Sequence, residues 1–132
     1  MIKLSLLLAL TAFTAGRVAA ADPDFQKDIA PVLEASCVKC HNDKKAKGKL
    51  NMTTKETFMK GGDDGKIVEA GKPDASKMIK VLLLPPDDDD AMPPQDKAPR
   101  PTAAQIDTLK KWIAAGAKWP DGVTLKVKED TK

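Results

Sequence analysis

The chain has 132 residues, only 4% of them aromatic, and a formal net charge of +3 at pH 7. This length favours a single small domain, which buries only a limited part of its surface. A large core made of aromatic side chains is therefore excluded, and we expect something besides side chains to complete the core.

The first 21 residues have the pattern of a secretory signal peptide. Lys3 supplies a positive start, an apolar stretch runs from Leu4 to Ala15, and small residues occupy 18–21. The apolar run is shorter than the roughly 20 residues that span a bilayer, so a retained membrane anchor is the weaker alternative. We predict cleavage after Ala20 or Ala21, and an exported or periplasmic domain over 22–132 with no membrane span.

Cleavage would also remove two positive charges. Loss of Lys3 and Arg17 lowers the formal charge from +3 to +1. Such a balance gives no reason to expect a nucleic-acid partner.

The first predicted helix leads into the only two cysteines. An apolar residue recurs every four positions from Phe25 to Cys37, which places these residues on one helical face. Pro31 would disrupt the interior of a helix but suits its first turn. We therefore predict a helix that starts near Ala30, follows a bent segment holding Phe25, and runs directly into the cysteines.

Two further helices are predicted before the prolines that begin at Pro85. Thr53 and Glu56 suggest a capping box for a short helix that ends at the glycine pair 61–62. A third helix is predicted over 73–84, and Pro85 would stop it.

The last helix follows an irregular, proline-rich loop over 87–101. Thr102 and Gln105 form a second capping box, and Gly116 provides the C-terminal stop. Since no strand pattern occurs, the predicted fold is all-α with long loops.

The segment Cys37-Val38-Lys39-Cys40-His41 carries the chemistry. Two thiols three positions apart can each add to one vinyl group of a haem, and the adjacent histidine can ligate the iron. Zinc needs four ligands, whereas the chain has one histidine and two cysteines. A redox-active pair requires a βαβ setting, and a plain disulfide leaves the position of the histidine unexplained. We therefore predict one covalent haem c, with the small helical domain wrapped around it.

A sixth iron ligand must come from a methionine, because there is no second histidine. Met59 and Met78 lie in predicted helices, where packing into the core is the simpler role. Met52 precedes a helix and stays a candidate. Met92 is favoured, because the two prolines after it exclude helical geometry and stiffen the backbone around it.

Other charged and apolar groups give weaker signals. The acidic run 87–90 can be a calcium site, but a solvated loop is the simpler interpretation. Four core candidates are expected to line or buttress the haem pocket: Phe25, Leu109, Trp112 and Ile113. Five lysines around the attachment motif either steer an acidic redox partner or form a solvated loop: Lys39, Lys44, Lys45, Lys47 and Lys49.

With these motifs, the chain resembles the planctomycete-type c cytochrome domain, a relative of the mono-haem class I cytochromes c. The resemblance implies a compact helical fold, iron ligation by His41 and Met92, and electron transfer. It covers nearly all of the chain after the signal segment, and the matching residues are 25, 28–33, 37–41, 47–52, 61–62, 70–73, 76, 92–94, 112–117 and 119–120.

The function predicted is that of an electron carrier, not an enzyme. We expect a monomeric or weakly associating protein that meets separate redox partner proteins as donor and acceptor. Two alternatives stay open: a haem-based gas sensor or small haem enzyme with an open sixth iron position, and a disulfide-stapled interaction module without haem.

Overall fold

The computed structural model describes residue 16 and residues 20–128. Most of the predicted signal peptide therefore lies outside the described residues, and its cleavage stays a prediction. Within residues 20–128, no helix has the length and apolarity needed to cross a membrane.

The described chain is helical, which confirms the all-α prediction. A wide π-type helical turn over Phe25–Ile29 precedes the first α-helix, and 3-10 turns occur at Lys47–Lys49 and Pro73–Ala75. Over residues 20–128, β pairing is limited to isolated bridges. The α-helices are α1 (Ala30–Ser36), α2 (Lys55–Lys60), α3 (Lys77–Leu83) and α4 (Ala103–Ala114).

Helix α1 begins where the sequence predicts. Pro31 lies in its first turn, where a missing backbone N–H costs nothing. The π-type turn that precedes α1 is capped by Asp24, whose carboxylate accepts a hydrogen bond from the backbone N–H of Lys27. At the other end, the backbone N–H of Cys37 donates to Leu33, so α1 delivers the chain to the cysteine motif.

The predicted cap of α2 is wrong by one residue. Thr54, not Thr53, is the N-cap, and its hydroxyl accepts from the backbone N–H of Thr57. The Thr53 hydroxyl instead donates to Asn51 at 2.7 Å. This local turn takes up the side chain that the sequence pattern assigned to the helix. The predicted end is confirmed, since Gly61 terminates α2 with a φ of 81°.

The helix predicted over 73–84 is interrupted at Ser76. Its ψ of 122° is extended and separates the 3-10 turn from α3. The fully buried Ser76 hydroxyl accepts from the N–H of Glu69 and donates to the carbonyl of Lys72, both at 2.9 Å. These bonds favour the break over a continuous helix.

Helix α4 confirms its prediction in detail. The Thr102 hydroxyl accepts from the N–H of Gln105, and the Gln105 side chain accepts from the N–H of Thr102. Gly116 follows the helix with a φ of 106°, a conformation that glycine adopts without strain.

The core is centred on four aromatic rings, Phe25, Phe58, Trp112 and Trp119. Phe25 lies 4.5 Å from Trp119 and 5.9 Å from Trp112, measured between ring centroids. Both indole N–H groups donate to backbone carbonyls, of Lys118 and Val123 respectively. The four rings thus form one aromatic cluster in which both indole N–H groups have a hydrogen-bond partner.

The chain after α4 closes over this cluster. Backbone N–H groups of Leu125 and Lys126 donate to the carbonyl of Thr53 and the carboxylate of Glu34. Leu125 is buried. This C-terminal strap, residues 117–126, joins α1 to the start of α2.

Candidate functional site

The middle of the chain encloses a cavity of about 650 Å³. This volume lies in the range of pockets that hold small molecules and cofactors. All four residues predicted to hold the haem line it: Cys37, Cys40, His41 and Met92. Its wall also includes the apolar side chains Leu50, Met52, Ile67, Met78, Val81, Leu82 and Leu84.

The two cysteines are brought to the cavity by one turn at the end of α1. Backbone N–H groups of Cys40 and His41 both donate to the carbonyl of Cys37, at 3.2 and 3.1 Å. Both thiols are free. Burial, with a smaller contribution from Cys40, raises the pKa of the Cys37 thiol to about 12. The thiol is therefore protonated at neutral pH in the chain without haem.

The imidazole of His41 is oriented by the loop that follows it. Its Nδ1 lies 3.0 Å from the carbonyl of Lys47. This bond makes Nδ1 the protonated nitrogen and leaves the Nε2 lone pair available for a metal. Burial lowers the pKa of His41, which favours the neutral imidazole that a metal requires.

Asn42 organises the turn, a role that the sequence analysis missed. The side chain is buried, and its amide nitrogen donates to the carbonyls of Val38 and Lys39 at 2.6 and 3.2 Å. Its amide oxygen accepts from the N–H groups of Lys44 and Lys45, both at 2.9 Å. An asparagine directly before a charged loop is the available signal, since it often closes such turns.

Met92 reaches the cavity from the loop after α3. It is half-buried, and its backbone N–H donates to the carbonyl of Val81 at 3.1 Å. Pro93, the next residue, also lines the cavity and is buried.

The other candidate methionines differ in position. Met59 packs beside the core and does not line the cavity. Met52 and Met78 line it and are buried. The backbone N–H of Met52 donates to the carbonyl of His41 at 2.9 Å, so Met52 is attached to the histidine segment.

Two glycines let loops approach closely at the cavity wall. A β-carbon at Gly62 would collide with the carbonyl oxygen of Gly48, and one at Gly61 would collide with that of Gly65. Gly48, Gly62 and Gly65 all line the cavity. Any side chain at 61 or 62 would therefore push this wall apart.

Charged side chains lie at the edge of the cavity. Lys47 and Lys77 line it, as do Asp63 and Asp64. Lys77 pairs with Asp64, and the exposed Lys49 pairs with Asp63 at 3.2 Å. Of the five lysines around the attachment motif, Lys49 thus forms an ion pair with an acidic neighbour.

Two weaker predictions have simple outcomes. The run 87–90 is exposed, and over residues 20–128 no group of three or more His, Cys, Asp or Glu side chains is placed to hold a metal ion. The four predicted pocket residues belong to the core and do not line the cavity: Phe25, Leu109, Trp112 and Ile113.

A paired-cysteine turn, an oriented histidine and an apolar cavity on one helical scaffold are the parts of a cytochrome c-type haem site. Comparison with protein families agrees with this class. Residues 37–96 match the model of the PSCyt1 family, described as Planctomycete cytochrome C. This segment, slightly under half of the chain, is similar to the planctomycete cytochrome c domain, which confirms the predicted resemblance over these residues. The match implies covalently bound haem c.

Neither the curated proteins nor the solved structures contain a match to this chain.

Proposed function

We propose that the protein is an exported electron carrier with one haem c, attached through Cys37 and Cys40 and ligated by His41 and Met92. The observation that carries this proposal is that all four side chains line the same cavity. Such a haem supplies an iron centre that accepts and releases one electron.

Each of these residues has a supported role. His41 offers Nε2 to the iron, while the carbonyl of Lys47 holds the ring in one orientation through Nδ1. Asn42 keeps the cysteine turn closed. The apolar wall, including Ile67 and Leu82, limits access of water, and this raises the reduction potential.

Met92 is the best-supported sixth ligand. If His41 held the iron of a bound haem, a second protein ligand would have to come from a different part of the cavity wall. Met52 is hydrogen-bonded to the histidine segment, whereas Met92 is hydrogen-bonded to α3 through Val81. Met59 does not reach the cavity.

The partners follow from the carrier role. We propose that the protein acts as a monomer between separate donor and acceptor proteins. Lys47 lies at the edge of the cavity and is exposed, where it can attract an acidic partner.

The test is absorption spectroscopy of protein matured with a haem-attachment system. The oxidised wild-type protein should be low-spin and show the weak long-wavelength sulfur-to-iron band. Met92→Ala should abolish this band and turn the iron high-spin, because it removes the sulfur atom of the proposed ligand. Met59→Ala is the matched control and should leave the spectrum unchanged.

The remaining outcomes separate the alternatives. A band that survives Met92→Ala but is lost in Met52→Ala would move the sixth ligand to Met52. Covalent haem without the band in wild type would favour the sensor or small enzyme. A colourless protein from the same system would refute haem attachment.

A further inference from the structure

Arg100 connects the end of α3 to the loop that carries Met92. Its guanidinium donates to the carbonyls of Leu82 and Leu84, each at 3.0 Å, and to the carbonyl of Pro93 at 3.2 Å. Arg100 is half-buried, so water competes only partly for these bonds. One side chain therefore ties both sides of the segment 84–93.

The acceptors explain why an arginine is suited to this position. The last carbonyls of a helix have no partner within the helix and carry partial negative charge. Leu82 lies in the last turn of α3, and Leu84 follows its end. The guanidinium uses one nitrogen for the carbonyls of Leu82 and Leu84 and another for that of Pro93, whereas an ammonium would have to reach all three from a single nitrogen.

Within residues 20–128, few other hydrogen bonds connect this loop to the rest of the protein. The Met92 N–H donates to Val81 at 3.1 Å, and the Ser36 hydroxyl donates to the carbonyl of Pro99 at 2.6 Å. The first bond fixes the backbone of Met92 on one side only. The Arg100 bond to Pro93 holds the chain immediately beyond Met92.

We propose that Arg100 is the positioning residue for Met92: it holds the thioether at the iron and opposes its displacement by other ligands. This inference rests on the proposed function, because it assumes that Met92 is the sixth ligand. Arg100 acts through the loop and does not line the cavity.

The test is an alkaline titration of the oxidised holoprotein, followed through the sulfur-to-iron band. Base displaces a weakly held thioether, so the midpoint pH reports how firmly Met92 is held. In Arg100→Leu, we expect the displaced form to be about tenfold more populated, which lowers the midpoint by about one pH unit. Arg100→Lys keeps the positive charge but has one nitrogen in place of the two that donate to the loop. It should therefore give an intermediate midpoint.

Thr102→Ala is the matched control, because it removes the cap of α4 without touching the loop. It should lower the unfolding temperature and leave the titration midpoint at the wild-type value. An equal midpoint shift in Thr102→Ala and Arg100→Leu would overturn the positioning role, as would a wild-type midpoint in both Arg100 variants. If Arg100→Leu fails to fold, Arg100→Lys decides alone.

The two proposals fail in different ways. Absence of the band in wild type contradicts ligation by Met92, and with it the proposed function. A wild-type protein that has the band, together with Arg100 variants that titrate like it, contradicts only the inference on Arg100.

Discussion

The molecule has two apolar regions, the aromatic cluster (the terminal half) and the wall of the cavity (the middle half). Their interiors are filled in different ways. In the terminal half, four aromatic rings lie within 6 Å of a neighbouring ring and fill the space between α1, α2, α4 and the C-terminal strap. In the middle half, methionine and aliphatic side chains line about 650 Å³ of space. One core is completed by side chains, and the other contains a cavity that we propose the haem fills.

This difference teaches how a chain with few aromatic residues builds a stable domain. Its two tryptophans and two of its three phenylalanines are used in the terminal half. The middle half uses methionine and aliphatic residues as a wall, and we infer that the haem supplies its missing apolar volume.

The largest expected effect is that of haem on the middle half. In the chain without haem, amide protons of Met52, Met78 and Met92 should exchange about 100-fold faster or more than in the holoprotein, since a bound group stabilises only the state that binds it. Amides in α4 should change far less. Hydrogen exchange by mass spectrometry or NMR measures both, and an equal change in the two halves would refute the division.

The next effect distinguishes the halves by mutation. Trp112→Ala should cost about 3–5 kcal/mol of unfolding free energy, with or without haem, because it opens a cavity in the side-chain core. Met78→Ala in the cavity wall should cost about 2–5 kcal/mol in the holoprotein but little in the chain without haem. Chemical denaturation of the wild-type protein and of both variants, each with and without haem, tests this prediction. Similar costs of Met78→Ala in both forms would contradict it.

The smallest effect, counted per pH unit, concerns Cys37, at the boundary between the halves. Its raised pKa keeps the thiol protonated in the folded chain without haem up to about pH 12, whereas the unfolded thiol loses its proton above about 9.0. The unfolded state then binds fewer protons, so the unfolding free energy falls with rising pH in this window, by up to about 1.4 kcal/mol per unit.

The control for this pH effect is Cys37→Ala. Denaturation across the window should show a steeper decline for the unmodified chain than for this variant. Equal slopes would place Cys37 in solvent when haem is absent. The holoprotein should lack the contribution, because a thioether has no proton to lose.

The reliable sequence predictions rest on local physics. The start of α1 near Ala30, set by Pro31, and the capping box of α4 at Thr102 and Gln105 each depend on a few adjacent residues, and both are confirmed. The attachment motif is also local, and the family match agrees with it.

The wrong or missing predictions come from contacts between residues far apart in sequence, or from turns that compete with a helix for the same side chain. Ser76 breaks the third helix because its hydroxyl finds partners at Glu69 and Lys72. Arg100 contacts carbonyls 16 and 18 residues away. Hydrophobic periodicity gives no information on such contacts. A capping pattern also cannot decide between Thr53 and Thr54, because the Thr53 hydroxyl bonds to Asn51 instead of the helix.

The C-terminal strap has a consequence for the order of assembly. Phe25 lies against Trp119, and Thr53 receives the N–H of Leu125, so the terminal core joins the first and last parts of the domain. A chain that emerges N-terminus first presents Cys37 and Cys40 well before these late residues arrive. Both cysteines therefore emerge before the terminal core can close, and under the proposed function this interval is open to haem attachment.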